Sequence, residues 1–250
     1  TNKPKEAERS SRSGDPMTSN NESPKGKLLA RRDRAWGLVS PREPIKIGCV
    51  NVCTLGKTTD ARAEMAMKEL AKYKVAICGL SETRFGGFGR KIIEDYEIFY
   101  SGKKEGMYGV GIAVNNKLVG SVSSWEPVSD RLMWMRFNCK NVPTTVIQCY
   151  APTEVSSKEQ KDSFYRDLQR VIHGVSKRDF IIVLGDFNAQ VGNNADIWKG
   201  ILGKHGIVHK DEMGNIKPPN DNGLRLLDIC STNELCVTGT LFEHKDIHKY

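Results

Sequence analysis

Short β-prone runs alternating with amphipathic segments predict a layered α/β sandwich for most of this chain. The β-prone runs recur between residues 45 and 186, separated by Gly, Pro, Asn and Lys. Segments with apolar residues at helical spacing lie between some of them, and neither an internal repeat nor a heptad is visible. Strands and helices in this mixture bury their apolar faces by stacking in layers. We therefore expect sheets covered by helices.

The predicted elements begin at Ile45. The run IKIGCVNVC predicts a strand, and Asp60 is placed to cap a helix whose apolar face holds Ala63, Met67, Leu70 and Ala71. The run VAICGLSE predicts a second, buried strand that ends in an acid. Consecutive short runs favour antiparallel neighbours next, and these runs are EIFYSG, GVGIAVN, LVGSVSSW, RLMWMRF and TTVIQCYAP.

Two helices flank the last predicted strand. Ser156 and Glu159 match a capping box, and the apolar residues behind them have helical spacing: Phe164, Leu168, Val171, Ile172 and Val175. The run FIIVLGD predicts a fully buried strand, followed by a loop rich in Gly, Asn and Lys. A last helix is predicted to begin at Asn222, with Leu224, Leu227 and Cys230 on one stripe.

The net charge of +8 is unevenly distributed. Residues 1–46 hold 11 Lys and Arg against 6 Asp and Glu, and the remainder holds 27 against 24. Residues 1–43 also lack apolar periodicity, so we expect a disordered basic tail followed by one domain over residues 44–250. Its patch LLARRDRAW is either a nuclear-import or nucleic-acid contact or merely solvated. Overall charge therefore supports a polyanionic partner only weakly.

Composition argues against membrane and secreted classes. No run approaches the roughly 18 apolar residues of a membrane span, and the first thirty residues are polar rather than signal-like. Most cysteines have apolar neighbours, which predicts packed, reduced thiols in a nuclear or cytoplasmic protein: Cys49, Cys78, Cys149, Cys230 and Cys236. A zinc site is the competing interpretation for Cys230, Cys236, His244 and His248. The spacing of the two cysteines is wider than usual for zinc.

Polar side chains stand at the ends of three predicted strands. Asn51 lies in the first, Glu82 ends the second, and Asp186 ends FIIVLGD, with Asn188 close behind and Gly185 expected to free the backbone to turn. Each alone is typical of a turn or an exposed ion pair. Together, carboxylates that bind a hard cation and orient water, and amides that donate to phosphate, suit phosphate-ester hydrolysis. Dinucleotide-binding, Walker and nucleophile-elbow motifs are absent.

Four ordered motifs carry a family resemblance: NVCTL, LSETR, CYAPT and GDFNA. Their order and approximate spacing resemble the exonuclease-endonuclease-phosphatase superfamily, and within it the endonuclease domains of non-LTR (LINE-type) retrotransposons. The resemblance runs from about residue 45 to the end. It implies a four-layer α/β sandwich, with two mostly antiparallel sheets packed face to face and helices outside. It also implies a hydrolase dependent on Mg²⁺ or Mn²⁺, with no small-molecule cofactor.

The resemblance assigns roles to matching positions. Glu82 would bind the metal with support from Asn51, and Asp186 would activate the attacking water. Asn188 and Tyr150 would contact the scissile phosphate. The Tyr-Ala-Pro sequence in CYAPT matches abasic-site and retroelement endonucleases, which makes DNA the expected substrate.

Further DNA contacts are expected mainly to phosphates. Arg84, Arg90 and Lys91, interpreted as loop residues, are candidates, although solvated surface accounts for each of them alone. Family members carry later motifs, including a terminal Ser-Asp-His, that do not occur before Tyr250. We therefore expect a domain missing its last strands, with weak or no nuclease activity. The alternatives are a domesticated, non-catalytic module that binds nucleic acid or protein, and a product with no selected role.

Overall fold

The computed structural model describes residues 44–55, 61–103 and 106–244. The predicted tail, the Asp60 cap and His248 lie outside these ranges. The strands are β1 (Lys46–Asn51), β2 (Val75–Ser81), β3 (Phe88–Ile93), β4 (Tyr96–Ser101), β5 (Val110–Asn115), β6 (Val122–Ser129), β7 (Leu132–Phe137), β8 (Thr144–Tyr150) and β9 (Phe180–Asp186). The helices are α1 (Ala61–Lys72), α2 (Lys158–Gly174) and α3 (Asp221–Thr232).

The strands form two sheets within the described residues. The five-stranded sheet has the order β1-β2-β5-β4-β3, and the four-stranded sheet has the order β6-β7-β8-β9. The predicted antiparallel pairing of neighbours holds for β4-β5 and for β6-β7-β8. It fails for β5 and β6, which lie in different sheets, and β3, which was not predicted, pairs antiparallel with β4. Two pairs are parallel instead: β1 with β2, and β8 with β9. In each parallel pair, the carboxyl ends of the two strands therefore lie side by side at the same edge of the sheet.

Three apolar clusters separate four layers, which confirms the predicted α/β sandwich. The central cluster lies between the sheets and includes Phe99, Trp125 and Phe137. A second cluster packs Met67 of α1 against the outer face of the five-stranded sheet. A third packs Leu168 of α2 and part of α3 against the outer face of the four-stranded sheet. No helix in the described part of the chain is long and apolar enough to cross a membrane.

One strand was not predicted, and one predicted strand begins four residues later than expected. Strand β3 contains Arg90 and Lys91, so these two residues do not lie in a loop as expected. It is an edge strand whose Phe88 and Ile92 are exposed, which removes the usual apolar-inward signal. The predicted strand LVGSVSSW instead begins with a 3₁₀ turn at Val119–Ser121, and β6 starts after it.

The starts of α2 and α3 each differ from the predicted start by one residue. The capping box of α2 is formed by Ser157 and Gln160, not by Ser156 and Glu159. Helix α3 begins at Asp221, with Asn220 as its N-cap. Leu224 of α3 is exposed, so the predicted stripe is reduced to Leu227 and Cys230. The shifts arise because neighbouring Ser and Asn residues compete for the cap, and tertiary contacts select one of them.

Burial of β9 and of two cysteines is lower than predicted. The side chains of β9 are half-buried or exposed, because this strand is at the edge of the four-stranded sheet. Cys49 is exposed on the edge strand β1, and Cys236 is exposed after α3. Cys78, Cys149 and Cys230 are buried as expected. An apolar run therefore predicted the strand correctly but not how deeply the sheet covers it.

Candidate active site

The carboxyl ends of the two parallel strand pairs meet across the interface between the sheets. The Ser81 hydroxyl at the end of β2 donates a hydrogen bond to the Cys149 carbonyl of β8, at 3.3 Å. The buried Gln148 amide donates to the same Ser81 hydroxyl at 3.0 Å. Because these polar groups have no access to water, their mutual bonds fix the two strand ends against each other.

Two glycines permit this close approach. A Cβ atom on Gly79 of β2 would lie 1.9 Å from Gln148 Oε1. A Cβ atom on Gly185 of β9 would lie 2.3 Å from the Cys149 carbonyl oxygen. The chain does not turn at Gly185, since β9 continues through it to Asp186, but its φ of +154° is a conformation that favours glycine, as expected. Gly185 instead leaves room for the neighbouring strand.

One amide group joins the two predicted acids. Asn51, at the end of β1, donates from Nδ2 to Glu82 Oε1 at 2.8 Å and to Asp186 Oδ2 at 3.2 Å. Its Oδ1 accepts a hydrogen bond from the Cys53 backbone N–H at 3.0 Å, which orients the amide. Tyr150, at the end of β8, donates its hydroxyl to the same Glu82 oxygen at 3.0 Å. Four strand ends therefore converge on one pair of carboxylates.

Arg84 occupies the other oxygen of Glu82. Its guanidinium donates to Glu82 Oε2 at 3.1 Å. Both residues have positive φ values, 58° for Glu82 and 56° for Arg84, in a region that non-glycine residues rarely adopt. Such backbone strain persists where surrounding contacts hold it, and it concentrates at functional sites. Here it directs both side chains of the segment after β2 toward the cluster.

The hydrogen bonds shift two pKa values in opposite directions. The bond from Asn51 is the largest influence on Glu82, and with Arg84 and Tyr150 it holds the pKa of this carboxyl below its usual value. Burial, with the hydrogen bond to Glu82, raises the pKa of Tyr150 to about 12. At neutral pH the site therefore contains an ionised Glu82 and a protonated Tyr150 that donates to it.

Asn188 is anchored beside this cluster rather than pointing freely into it. Its backbone N–H donates to Asp186 Oδ1 at 3.0 Å, and its Nδ2 donates to the Ala151 carbonyl at 3.0 Å. The Asn188 carbonyl accepts from Asn220 Nδ2 at 3.0 Å. Asn188 also has a positive φ of 49°. It thus ties the end of β9 to β8 and to the cap of α3.

An open groove begins at Asp186 and continues along the loop after β9. It has a volume of about 490 Å³. Its lining includes Glu154, Asp186, Asn188 and Asn220. Of the predicted site residues, Asp186 and Asn188 line this groove, whereas Asn51, Glu82 and Tyr150 do not.

Two residues that the sequence did not single out border the site. The Arg131 guanidinium lies 3.9 Å from the ring centroid of Tyr108 and 5.0 Å from that of Tyr150. Arg131 also donates to the carbonyls of Tyr150 and Ala151. Tyr108 lies in a glycine-rich turn and Arg131 precedes β7. Neither position carries a periodic or motif signal, so only the folded contact identifies them.

The donor set fits a hard divalent cation. Glu82 and Asp186 supply carboxylate oxygens on either side of one amide, and Mg²⁺ takes one or two carboxylates with water and substrate oxygens. Within the described ranges, no group of three or more His, Cys, Asp or Glu side chains is placed to hold a metal ion. A cation here would therefore keep most of its water, as Mg²⁺ prefers.

The two facing sheets with helices outside them form a four-layer α/β sandwich. The same fold occurs in the AP endonuclease LMAP from Leishmania major, which is 10% identical, with a TM-score of 0.54 over 78% of this chain and 68% of that chain. The endonuclease domain of TRAS1, a telomere-specific non-LTR retrotransposon, is 19% identical, with a TM-score of 0.47 over 76% of this chain and 70% of that chain.

In sequence, the chain is similar to craniofacial development protein 2. The protein from Bos taurus is 29% identical over 203 residues, which are 81% of this chain and 32% of that protein. The protein from Tragulus javanicus is 28% identical over 203 residues, 81% of this chain and 33% of that protein. The chain thus spans about a third of the length of these curated relatives. No family model matches it.

Proposed function

We propose that this chain is a phosphodiesterase domain that uses Mg²⁺ or Mn²⁺ to cleave DNA strands, of the kind found in non-LTR retrotransposons. The observation that carries the proposal is the single Asn51 amide that bonds Glu82 and Asp186 at 2.8 and 3.2 Å. Two carboxylates held this way, each from a rigid strand end, match the two tasks of phosphodiester hydrolysis: binding a cation and handling water.

Each residue of the cluster receives one task in this proposal. Glu82 is the metal ligand, and Asn51 orients it. Asp186 orients and deprotonates the attacking water, because Asn51 and the Asn188 N–H fix both of its oxygens. When bound, the cation would supply positive charge that stabilises the phosphate as negative charge develops on it.

Tyr150 and Asn188 contact the scissile phosphate in the proposed reaction. Because its pKa is raised to about 12, Tyr150 stays protonated at working pH and acts as a hydrogen-bond donor. Its hydroxyl now donates to Glu82 and lies at the same edge of the sheets as Asp186. Asn188 provides a second amide whose backbone is anchored by Asp186 itself.

DNA as the substrate is supported by sequence features rather than by charge. The Tyr-Ala-Pro segment at residues 150–152 follows the pattern of abasic-site and retroelement endonucleases. The Leishmania major protein that shares the fold is named an AP endonuclease. Arg84, at the mouth of the cluster, is the nearest cation proposed to contact a DNA phosphate.

Plasmid nicking tests the proposal. The purified chain, in excess over supercoiled plasmid, is incubated with Mg²⁺ or Mn²⁺, and the rate of nicking is compared among variants. Asp186→Asn and Glu82→Gln are each expected to lower the rate by about 10²-fold or more. Asp196→Asn is the matched control, because Asp196 is exposed in the loop after β9. Equal rates for Asp186→Asn and the unaltered chain contradict the assignment.

Metal binding provides a readout independent of the rate. Titration of Mn²⁺, followed by loss of the free-ion electron spin resonance signal, is expected to show a site that weakens in Glu82→Gln. Glu64→Gln, on the exposed side of α1, controls for nonspecific loss of charge. If Glu82→Gln leaves the Mn²⁺ binding curve unchanged, Glu82 is not a ligand of the proposed metal site.

The second candidate is a non-catalytic module that binds nucleic acid or protein. It is favoured by the crowding of Glu82, both of whose oxygens already accept hydrogen bonds from protein donors. Under this hypothesis, partner capture depends on residues 1–43 and is insensitive to Asp186→Asn. Capture that survives deletion of residues 1–43 counts against it.

A further inference from the structure

A tyrosine that nothing in the sequence marked lies directly beside the acid cluster. The ring centroid of Tyr108 is 6.3 Å from that of Tyr150, and the Tyr150 hydroxyl donates to Glu82. Tyr108 nevertheless remains 38% exposed. A solvent-exposed aromatic ring therefore lies next to Tyr150, which contacts the carboxylate that is proposed to bind the metal.

The backbone of Tyr108 is held in an unfavourable conformation. Its φ is +47°, which is rare for a bulky residue. The Tyr108 carbonyl accepts the backbone N–H of Arg84 at 2.8 Å, and the next residue, Gly109, donates its N–H to the Asp130 carbonyl at 3.0 Å. The conformation is thus held by one bond to the segment that presents Glu82 and by one to the turn before β7. Strain of this kind indicates a side chain placed for contact rather than for stability.

Arg131 supports the ring from one side. Its guanidinium lies 3.9 Å from the Tyr108 centroid and 5.0 Å from the Tyr150 centroid. Two carbonyls, those of Tyr150 and Ala151, accept its NH1 donor at 3.2 and 3.3 Å, so the guanidinium is fixed in place. A cation stacked on one face of an aromatic ring immobilises the ring and leaves its remaining surface for another flat partner.

We propose that Tyr108, backed by Arg131, stacks on an unpaired nucleobase of the strand bound at the acid cluster. Every base offers a flat π-face, so stacking is tolerant of sequence. A base inside a duplex already has its faces covered by its neighbours, so the platform selects single-stranded or extruded nucleotides. This inference rests on the proposed function and narrows its substrate class to DNA with an unpaired base near the cleaved phosphate.

Fluorescence anisotropy with two probes separates base stacking from phosphate binding. One probe is a short single-stranded DNA oligonucleotide, and the other is an oligomer of equal length and charge in which every base is replaced by hydrogen. Both are titrated with the full chain in EDTA, which prevents cleavage. Tyr108→Ala is expected to weaken binding of the base-bearing probe about fivefold or more, from stacking of about 1–3 kcal/mol per base. The base-free probe is expected to bind unchanged.

Three further variants control the experiment. Tyr108→Phe keeps the ring and is expected to bind like the unaltered chain. Tyr108→Leu keeps apolar bulk without a flat ring and is expected to behave like Tyr108→Ala. Tyr73→Ala removes a tyrosine that is also exposed and also has a cation, Lys72, over its ring. It lies before β2, at the opposite end of that strand from Glu82, and is expected to leave both probes unaffected.

The outcomes distinguish this inference from the proposed function. If Tyr108→Ala weakens binding of both probes equally, or of neither, the proposal of base stacking is wrong, even if nicking requires Asp186. If nicking is insensitive to Asp186→Asn but Tyr108→Ala selectively loses the base-bearing probe, the catalytic assignment fails and the platform stands. A loss with Tyr108→Phe equal to that with Tyr108→Ala also overturns the inference, because it assigns the effect to the hydroxyl.

Discussion

Glu82 accepts three side-chain hydrogen bonds, from Asn51, Tyr150 and Arg84. The Arg84 bond differs in kind, because it places a positive charge on the carboxylate oxygen that the other two leave open. Arg84 and a divalent cation therefore draw on the same oxygen. The Arg84 side chain is 37% exposed, so it is free to leave that oxygen for a phosphate.

We predict that Arg84→Ala has opposite effects on metal and on DNA. Mn²⁺ affinity, measured by electron spin resonance, is expected to rise about two- to fivefold, because a half-exposed ion pair worth up to about 1 kcal/mol no longer competes. DNA affinity is expected to fall, with the salt dependence reduced by about one phosphate contact. Arg62→Ala, at an exposed position of α1, is the control. Weaker Mn²⁺ binding in Arg84→Ala contradicts the competition.

Single residues also show what local sequence cannot reveal. Asn51, Glu82 and Asp186 stood out because each acid or amide follows an apolar run. Tyr108 and Arg131 stand 23 positions apart, in a turn and before a strand, with no periodic signal. Their contact exists only because β5 and β7 belong to facing sheets.

Among the secondary-structure elements, α2 shows how a short-range signal is resolved by one residue. Ser157 accepts the Gln160 backbone N–H at 3.3 Å, and the Gln160 side chain accepts the Ser157 N–H at 3.2 Å. Ser156 instead exchanges a hydrogen bond with Thr153. Both serines fit a capping pattern in the sequence, and only the chain path into α2 decides between them.

Replacement of each serine tests that cap. Ser157→Ala is expected to lower the free energy of unfolding by about 1 kcal/mol, since it leaves a helix N–H without its partner. Ser156→Ala is the matched control and is expected to cost less. Urea unfolding monitored by circular dichroism measures the free energy of unfolding of both variants. A larger decrease for Ser156→Ala would show that Ser156 is the N-cap, as the sequence predicted.

Three strands of the four-stranded sheet are linked at their far end by Asp179. Its fully buried side chain accepts Arg136 Nε at 2.6 Å, Arg136 NH2 at 2.9 Å and the Thr145 hydroxyl at 2.8 Å. The bonds from Arg136, the largest influence, lower the pKa of Asp179 below its usual value. Asp179 precedes β9, while Arg136 and Thr145 belong to β7 and β8.

The lowered pKa makes this stabilisation dependent on pH. A carboxyl whose pKa falls on folding contributes stability above its unfolded pKa, about 3.9, and loses it as the pH falls through the folded value. Asp179→Asn is expected to cost about 1–3 kcal/mol at pH 7, and progressively less below about pH 4. Urea unfolding across that range measures the difference. Asp228→Asn, exposed on α3, is the control, and an Asp179→Asn cost independent of pH contradicts the account.

The whole molecule depends on how closely its two sheets approach. Gly79 is the point of closest approach that bears on the site, since a Cβ atom there would meet both Gln148 Oε1 at 1.9 Å and Leu184 Cβ at 3.1 Å. Separation of the sheets at this point would break the hydrogen bond between Ser81 and Cys149. It would also move apart the strand ends that carry Glu82 and Tyr150.

We predict that Gly79→Ala lowers the free energy of unfolding by about 1–3 kcal/mol through overpacking. Gln148→Ala removes the clashing atom, so the double variant is expected to cost less than the sum of the two single variants by about 0.5 kcal/mol or more. Gly120→Ala, where no atom lies within 4 Å of the added Cβ, is the control. Additive costs in the double variant contradict the proposed contact.

Local sequence patterns are enough to predict the layered α/β class, most strand and helix positions, and the strand ends that carry the acids. These features are local, because apolar periodicity and the residue after a strand are read within a few positions of the chain. The placement of Asn51 against Glu82 and Asp186 required pairing of β1 with β2 and of β8 with β9. Those pairings join residues far apart in the chain.

The remaining features depend on contacts that form only in the tertiary structure. It placed β3 and β9 at sheet edges, where burial is incomplete and the apolar signal misleads, and it brought Arg131 onto Tyr108. It also showed that Gly185 leaves room for the neighbouring strand and Gly79 for the facing sheet. Edge position and close approach depend on what packs against a residue from another part of the chain, and no local pattern of residues contains that information.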